Sequence, residues 1–216
     1  MAIVFYYGSG SPFAWRVWLA MEHKKLPYEL RVMSFEKGDL TQPAFRALTP
    51  RGKVPLIQDG DYVLYESAAI VEYLDDAYPG QGAALFPADP KARGIARRLI
   101  READEYLMDS LDGLLEQVFV PQDKWNDAAI AAAKDKFLAE LPQWQRATTA
   151  GKDFLVGAVS AADFTVYPYF ALAQRAQKRR PSLALDSAFG PQLTAWLRRV
   201  EALAYFERTI PPHWRT

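Results

Sequence analysis

The chain of 216 residues contains no cysteine. That excludes disulfides, thiolate metal sites and any mechanism built on a cysteine nucleophile or redox thiol. Histidine is nearly missing as well, with His23 and His213 the only two. Net charge of either sign is absent, because Lys plus Arg and Asp plus Glu number 26 each. A balanced chain offers no electrostatic footprint for nucleic acid. Its short basic clusters, Arg97-Arg98 with Arg101 and Lys178-Arg179-Arg180, read as exposed helix faces and helix ends. No apolar run approaches the ~20 residues of a membrane span, and the opening residues lack the charged start of a secretory leader. The expectation is a cytoplasmic protein with no membrane and no nucleic-acid partner. Internal repeats and low-complexity segments are also missing. What remains is 50% hydrophobic, enough for one substantial core or two modest ones.

The first eighty residues carry the richest pattern. Residues 2–7 (AIVFYY) form a β-rich apolar run that Gly8-Ser9-Gly10 interrupts, and Ser11-Pro12 has the hydroxyl-then-proline order of an N-cap and first helical position. A helix is expected over residues 12–25, with Trp15, Trp18 and Leu19 at helical spacing, then a strand over residues 28–33. Strand, helix, strand implies a parallel crossover. An irregular stretch holding Pro43 and Pro50 follows. Leu56-Ile57 then opens a hairpin that turns at Asp59-Gly60 and returns through Tyr62-Val63-Leu64, and a helix runs to about Tyr78. The order is β-α-β, then β-β-α.

Two segments of this half have the chemistry to hold a peptide. Pro55 has no N–H, so the backbone around Val54 is left to pair with something other than the sheet, such as an extended ligand. Ser67 stands where an N-cap belongs, ahead of the apolar pattern Ala68, Ile70, Val71, Leu74. The amides of the following turn would favour a carboxylate, and Glu66 beside them an ammonium group. The plainer reading of the same residues is that Ser67 and Ser11 cap helices, Glu66 complements a dipole and Pro55 opens a strand.

In their order and spacing these elements resemble the thioredoxin-like domain of cytosolic glutathione transferases, in the serine-type branch that includes the tau and theta classes and bacterial members. Ser11 precedes Arg16 by five residues, and Ser11-Pro12-Phe13, Lys53-Val54-Pro55 and Glu66-Ser67 stand at the family's positions. The resemblance implies an α/β thioredoxin-like N-terminal domain followed by an all-α helical bundle. It implies glutathione as co-substrate, no metal, and a homodimer. It assigns Ser11 to activation of the glutathione sulfur. Phe13, Lys53, Val54, Pro55, Glu66 and Ser67 would bind glutathione, and Asp104 would reach it across the dimer interface. The implied reaction joins glutathione to a small hydrophobic electrophile or reduces an organic peroxide. Isomerisation, reductive dehalogenation and noncatalytic ligand binding are the alternatives.

One position departs from the family pattern. Relatives carry a histidine or lysine near Leu40 to hold the glycyl carboxylate, and here Lys37, Gln42 or Arg51 would have to replace it. Tyr6 and Tyr7 lie too far from Arg16 to serve as an activating tyrosine and are assigned to packing. Ser9 is a weaker candidate donor than Ser11, since it falls in the loop. Neither histidine is expected near Ser11.

The boundaries expected from composition are a first domain over residues 1–80, a linker over 81–90 rich in Gly and Pro, and a helical domain over 91–216. Helical patterns occupy residues 91–117, 127–150, 161–178 and 191–204. Ser160-Ala161-Ala162-Asp163 has capping-box spacing, with aspartate in place of glutamate, and is read as a structural motif. Pro168 is expected to kink its helix or to be tolerated near its start. Phe13, Tyr106, Phe119 and Trp214 are the candidate walls of an electrophile pocket, because such pockets are mostly apolar.

Overall fold

The computed structural model describes residues 2–148 and 151–215. The chain forms two compact units, Met1–Phe86 joined by Leu203–Thr216, and Pro87–Ala202.

The first unit is a four-stranded sheet between helices. β1 (Ile3–Gly8) pairs in parallel with β2 (Tyr28–Met33) and antiparallel with β3 (Leu56–Asp59), and β3 pairs antiparallel with β4 (Tyr62–Tyr65), giving the order β2-β1-β3-β4. Period-2 alternation sends the residues of β1 to two faces. On one face Tyr7 meets Trp18 of α1 (Pro12–His23) with ring centroids 4.9 Å apart, and α1 packs beside α3 (Ser67–Ala77). On the other face Tyr6 stacks at 5.8 Å on Phe45 of a short helix α2 (Pro43–Leu48). Sequence periodicity missed α2. Its six residues, opened by Pro43 at the first position, are too few to display a helical repeat.

Residues 81–86, expected as linker, belong to this unit. The Asp75 carboxylate accepts from Lys24 Nζ at 3.1 Å, from the Leu85 amide at 2.8 Å and from the Phe86 amide at 3.2 Å. Gly82 has φ +62° and lies so close to the Lys24 backbone that a Cβ there would fall 2.4 Å from it, so only glycine fits. The tail was expected with the helical domain, and that expectation is corrected too. Trp15 Nε1 donates to Thr209 Oγ1 at 3.0 Å, and its ring packs on Phe206 at 5.9 Å and on Trp214 at 5.2 Å, with Phe206 and Thr209 on a single-turn helix α9 (Phe206–Thr209).

The second unit is all helical. α4 (Pro90–Glu102) is capped by Asp89, whose carboxylate accepts from the Ala92 amide at 2.8 Å. The helix expected over 91–117 is continuous but holds a π-helical stretch, Ala103–Leu107, before α5 (Met108–Val118). α6 (Asp127–Ala147) follows; the last residues of its expected range, 149–150, lie outside the described residues. α7 (Ala161–Arg179) is buried on nearly every side over its first thirteen residues, so it is the central helix, and it runs unbroken through Pro168. α8 (Asp186–Glu201) is broken at Gly190 (φ 74°, ψ 166°), which explains why the sequence pattern starts only at Pro191. Phe170 anchors this core between Phe189 at 5.3 Å and Trp196 at 6.3 Å.

Candidate active site

The turn between β1 and α1 is built to present one hydroxyl. The Ser11 amide donates to the Gly8 carbonyl at 3.0 Å, closing a four-residue turn, and Gly10 has φ +89°, the left-handed value that the third position of a type II turn requires. A Cβ on Gly8 would meet Phe35 and Val54 at 2.6 Å, so the strand end must be glycine for these side chains to close over it. Ser11 caps α1, its oxygen accepting from the Ala14 amide at 3.2 Å. A hydroxyl has one hydrogen to donate as well as lone pairs to accept with, so the cap leaves the Ser11 hydrogen available to an anion. The N-terminal end of the α1 dipole favours such an anion at the same point.

A pocket of about 200 Å³ opens in the first unit, lined by Phe13, Thr49, Arg51, Lys53, Val54, Pro55, Tyr65, Glu66 and Ser67. Phe13, Lys53, Val54, Pro55, Glu66 and Ser67 are therefore brought together as expected. Ser11 does not line it but stands two residues before Phe13, whose ring is braced by the Arg16 guanidinium at 5.7 Å. Val54 and Pro55 are joined by a cis peptide bond immediately before β3.

The start of α3 differs from expectation by one residue. Glu66, not Ser67, is the N-cap, with φ 73° and ψ 107°, and its carbonyl accepts from the Ile70 amide at 2.9 Å. The Glu66 side chain makes no capping bond, so the first-turn amides of α3 are not capped from their own N-cap residue. Ser67 is the first helical residue and is buried. A positive φ is rare for a glutamate, and nothing in the local sequence announces it.

Sequence reasoning left three replacements open for the missing cation at position 40, and of these Arg51 lines the pocket, 3.8 Å from Glu66. Both side chains are about two-thirds exposed, at 69% and 67%, so the pair is loose and either partner can turn to a ligand. Leu40 packs instead against the apolar cluster of Tyr6, Phe45, Val54 and Leu56 beneath the pocket. A cation there would lose that packing. Gly52 (φ +56°) lets this loop close, since a Cβ would fall 2.6 Å from Arg46 and 2.8 Å from the Leu40 carbonyl. Thr49 and Tyr65 gave no sequence signal.

The remaining candidates are dispersed. Asp104 sits in the π-helical stretch of the second unit, where its carboxylate accepts from the Tyr169 hydroxyl at 2.6 Å. Tyr106 and Phe119 of that unit are exposed, at 56% and 40%, and not core residues; the Arg179 guanidinium lies 5.9 Å from the Phe119 ring. Trp214 belongs to the first unit, edge-on to Trp15. His213 is the largest surprise. It lies at the β1–α1 turn, its Nδ1 2.6 Å from Ser9 Oγ, although the chain distance of 204 residues hides this from any local pattern. Among the described residues no cluster of three metal-ligating side chains occurs, and no helix is long and apolar enough to cross a membrane.

Tyr7 is a packing residue, as its position suggested. It is fully buried, and burial pushes its phenol up to about 12, a rise that the Gly10 amide, the Ser9 hydroxyl and the Arg215 charge only partly offset. A phenol raised in the fold contributes stability that is complete below pH 10 and is lost as pH rises toward 12. Tyr7→Phe is expected to leave unfolding in denaturant unchanged or slightly stabilised at pH 8. The same substitution should recover about 2–3 kcal/mol of the loss between pH 10 and 12. An unfolding midpoint that falls by the same amount in both proteins across that range would contradict this.

Comparison with known proteins agrees with the geometry. Residues 10–77 match the family described as glutathione S-transferase, N-terminal domain. The glutathione S-transferase A of Pleuronectes platessa is 30% identical, over 96% of this chain and 91% of its own. A crystal structure of a glutathione S-transferase from the Antarctic clam Laternula elliptica superimposes with a TM-score of 0.82 at 29% identity, covering 100% of this chain and 94% of that one. A theta class glutathione S-transferase from Xanthomonas axonopodis pv. citri, crystallised with glutathione bound, superimposes at 0.83 with 27% identity and 97% of each chain covered. A thioredoxin-like sheet carrying a helix-capping serine beside a pocket lined by charged and polar side chains agrees with that class, and the chain belongs to the glutathione S-transferase family.

Proposed function

We propose that this protein binds glutathione in the pocket of its first unit and holds the thiol as thiolate for attack on a small hydrophobic electrophile. The observation that carries the reading is the pocket itself. It combines two cations, one acid, the start of a helix and a strand-end backbone within about 200 Å³. Glutathione has complementary groups: two carboxylates, one ammonium and a peptide backbone. The first-turn amides of α3, with Ser67, suit the γ-glutamyl carboxylate, and Glu66 suits its ammonium group. The Val54 backbone pairs with the cysteinyl residue. Lys53 and Arg51 receive the glycyl carboxylate, Arg51 taking the part for which relatives use a cation near position 40. The sulfur then lies toward Ser11, whose hydroxyl hydrogen is directed to it.

In the reaction the thiol proton leaves to solvent and the sulfur lone pair forms the new C–S bond. The electrophile's leaving group departs with its bonding pair. Ser11 donates a hydrogen bond throughout and never becomes covalently attached. The same reading takes the protein as a cytoplasmic homodimer.

Calorimetric titration with glutathione and with S-methylglutathione tests the binding half. Both ligands should bind, since the pocket contacts the peptide and not the sulfur. Glu66→Ala should weaken both about tenfold or more, the range for a lost hydrogen bond to a charged group, since Glu66 is the one acid lining the pocket, and Arg51→Ala about two- to fivefold, because Lys53 still faces the glycyl carboxylate. Absence of binding at millimolar ligand, or equal affinity in Glu66→Ala, would overturn the assignment.

A further inference from the structure

The C-terminal segment forms part of the turn that presents Ser11. His213 Nδ1 lies 2.6 Å from Ser9 Oγ, and Trp214 Nε1 lies 2.9 Å from His213 Nε2. An indole nitrogen only donates, so His213 Nε2 is the acceptor in that pair. The neutral imidazole then carries its proton on Nδ1, and that N–H donates to Ser9 Oγ. His213 is thus not a base acting on Ser9. It is the middle of a chain of donors running from Trp214 through His213 to Ser9. A second contact is independent of hydrogen bonding: a Cβ on Gly10 would fall 3.0 Å from His213 Cε1 and 3.7 Å from Trp214 Nε1, so the tail lies directly on the turn. The tail is held by Trp15, whose indole bonds Thr209 and whose ring meets Trp214.

Ser9 and Gly10 are the two central residues of the turn that Ser11 closes onto Gly8. Their conformation sets where the Ser11 hydroxyl stands, and His213 clamps both, one by a hydrogen bond and one by contact. We propose that His213 is a positioning residue for the serine-activated thiolate, acting through Ser9 and the Gly8–Ser11 turn on the hydroxyl of Ser11. The proposal rests on the functional reading above. It assigns to the tail an influence on the sulfur rather than on glutathione binding, because the pocket that receives the peptide is built from other residues.

The test follows thiolate absorption of bound glutathione against pH in the wild type, Ser11→Ala, His213→Ala, His213→Asn, His213→Gln and Ser9→Ala, with kcat and KM for glutathione at pH 6.5. His213→Ala should raise the thiol pKa by half a unit or more and lower kcat three- to tenfold, with KM changed less than twofold. Asparagine places an N–H where Nδ1–H stood and should restore both values, whereas glutamine, one methylene longer, should not. Ser9→Ala should match His213→Ala, and the double variant should be no worse than either alone. A merely structural tail would lower the melting temperature without moving the thiol pKa. Should the wild type and Ser11→Ala differ in thiol pKa while His213→Ala keeps the wild-type value, this inference alone falls. Should the wild type leave the thiol at its free value, the functional reading fails and takes the inference with it.

Discussion

Ser11→Ala is expected to raise the thiol pKa of bound glutathione by about one to two units and to slow conjugation at pH 6.5 by up to about fifty-fold. A hydrogen bond to an anion is worth ~1.5–3 kcal/mol, and one pKa unit corresponds to about 1.36 kcal/mol, which sets the size of the shift. A thiol held near pKa ~6.5 is about half ionised at pH 6.5; one returned to ~8.5 is about 1% ionised. The deficit must close as pH rises, since near pH 9 both proteins carry mostly thiolate. The variant should match or slightly exceed the wild type there, because a more basic thiolate is the better nucleophile. That convergence separates a donor serine from a covalent one, whose loss would abolish turnover at every pH. The variant also loses the cap on the Ala14 amide, at about 0.5–2 kcal/mol of stability, so unfolding should be measured alongside. Ser11→Thr keeps both cap and donor and should stay close to wild type in thiol pKa.

Asp163→Ala should be the most damaging single substitution for folding. The fully buried carboxylate accepts four bonds: Oδ1 from the Leu155 amide at 3.0 Å and Trp196 Nε1 at 2.8 Å, Oδ2 from the Ser160 amide and hydroxyl, each at 2.9 Å. Burial pushes this carboxyl up, and the four donors oppose that push. Alanine strands those donors in a core that water does not reach, where an unpaired group costs about 1–3 kcal/mol. A total loss of about 3–5 kcal/mol or more is a large share of a typical ~5–15 kcal/mol stability. Denaturant unfolding followed by circular dichroism reads it. Asp163→Asn keeps an oxygen for Trp196 and Leu155 but turns an N–H₂ toward the Ser160 amide, so it should fall between. Trp196→Phe removes one donor and leaves the carboxylate three, and it should be milder than Asp163→Ala. A fall of less than about 1 kcal/mol in Asp163→Ala would show that the network is dispensable.

Much of the first unit was legible because its signals are local. Ser11-Pro12 states a helix start, Asp59-Gly60 states a hairpin, and the Glu66-Ser67 pair was misplaced by only one residue. That slip has a physical cause: the capping rule looks for a side chain that accepts bonds, whereas here a glutamate takes a positive φ and caps with its backbone alone. Arg51 could be raised as one cation among three but not chosen, since choosing requires knowing that the 49–53 loop folds over the pocket. The π-helical stretch holding Asp104 leaves no trace in an apolar repeat that continues on both sides of it. The tail was the main omission. Phe206, Thr209, His213 and Trp214 have partners at Ser9 and Trp15, some two hundred residues earlier, and periodicity is blind at that range.

That closure from both directions reverses the order in which the protein can be completed during synthesis. The sheet and α1 leave the ribosome well before the tail, yet Trp15 has to wait for Thr209 and Phe206, and the Gly8–Ser11 turn for His213. The helical unit, Pro87–Ala202, is synthesised entirely in between. A nascent chain that has emerged only to residue 202 can hold a finished bundle while its N-terminal unit still lacks the segment that covers α1. The sheet is therefore translated ahead of the bundle and sealed after it.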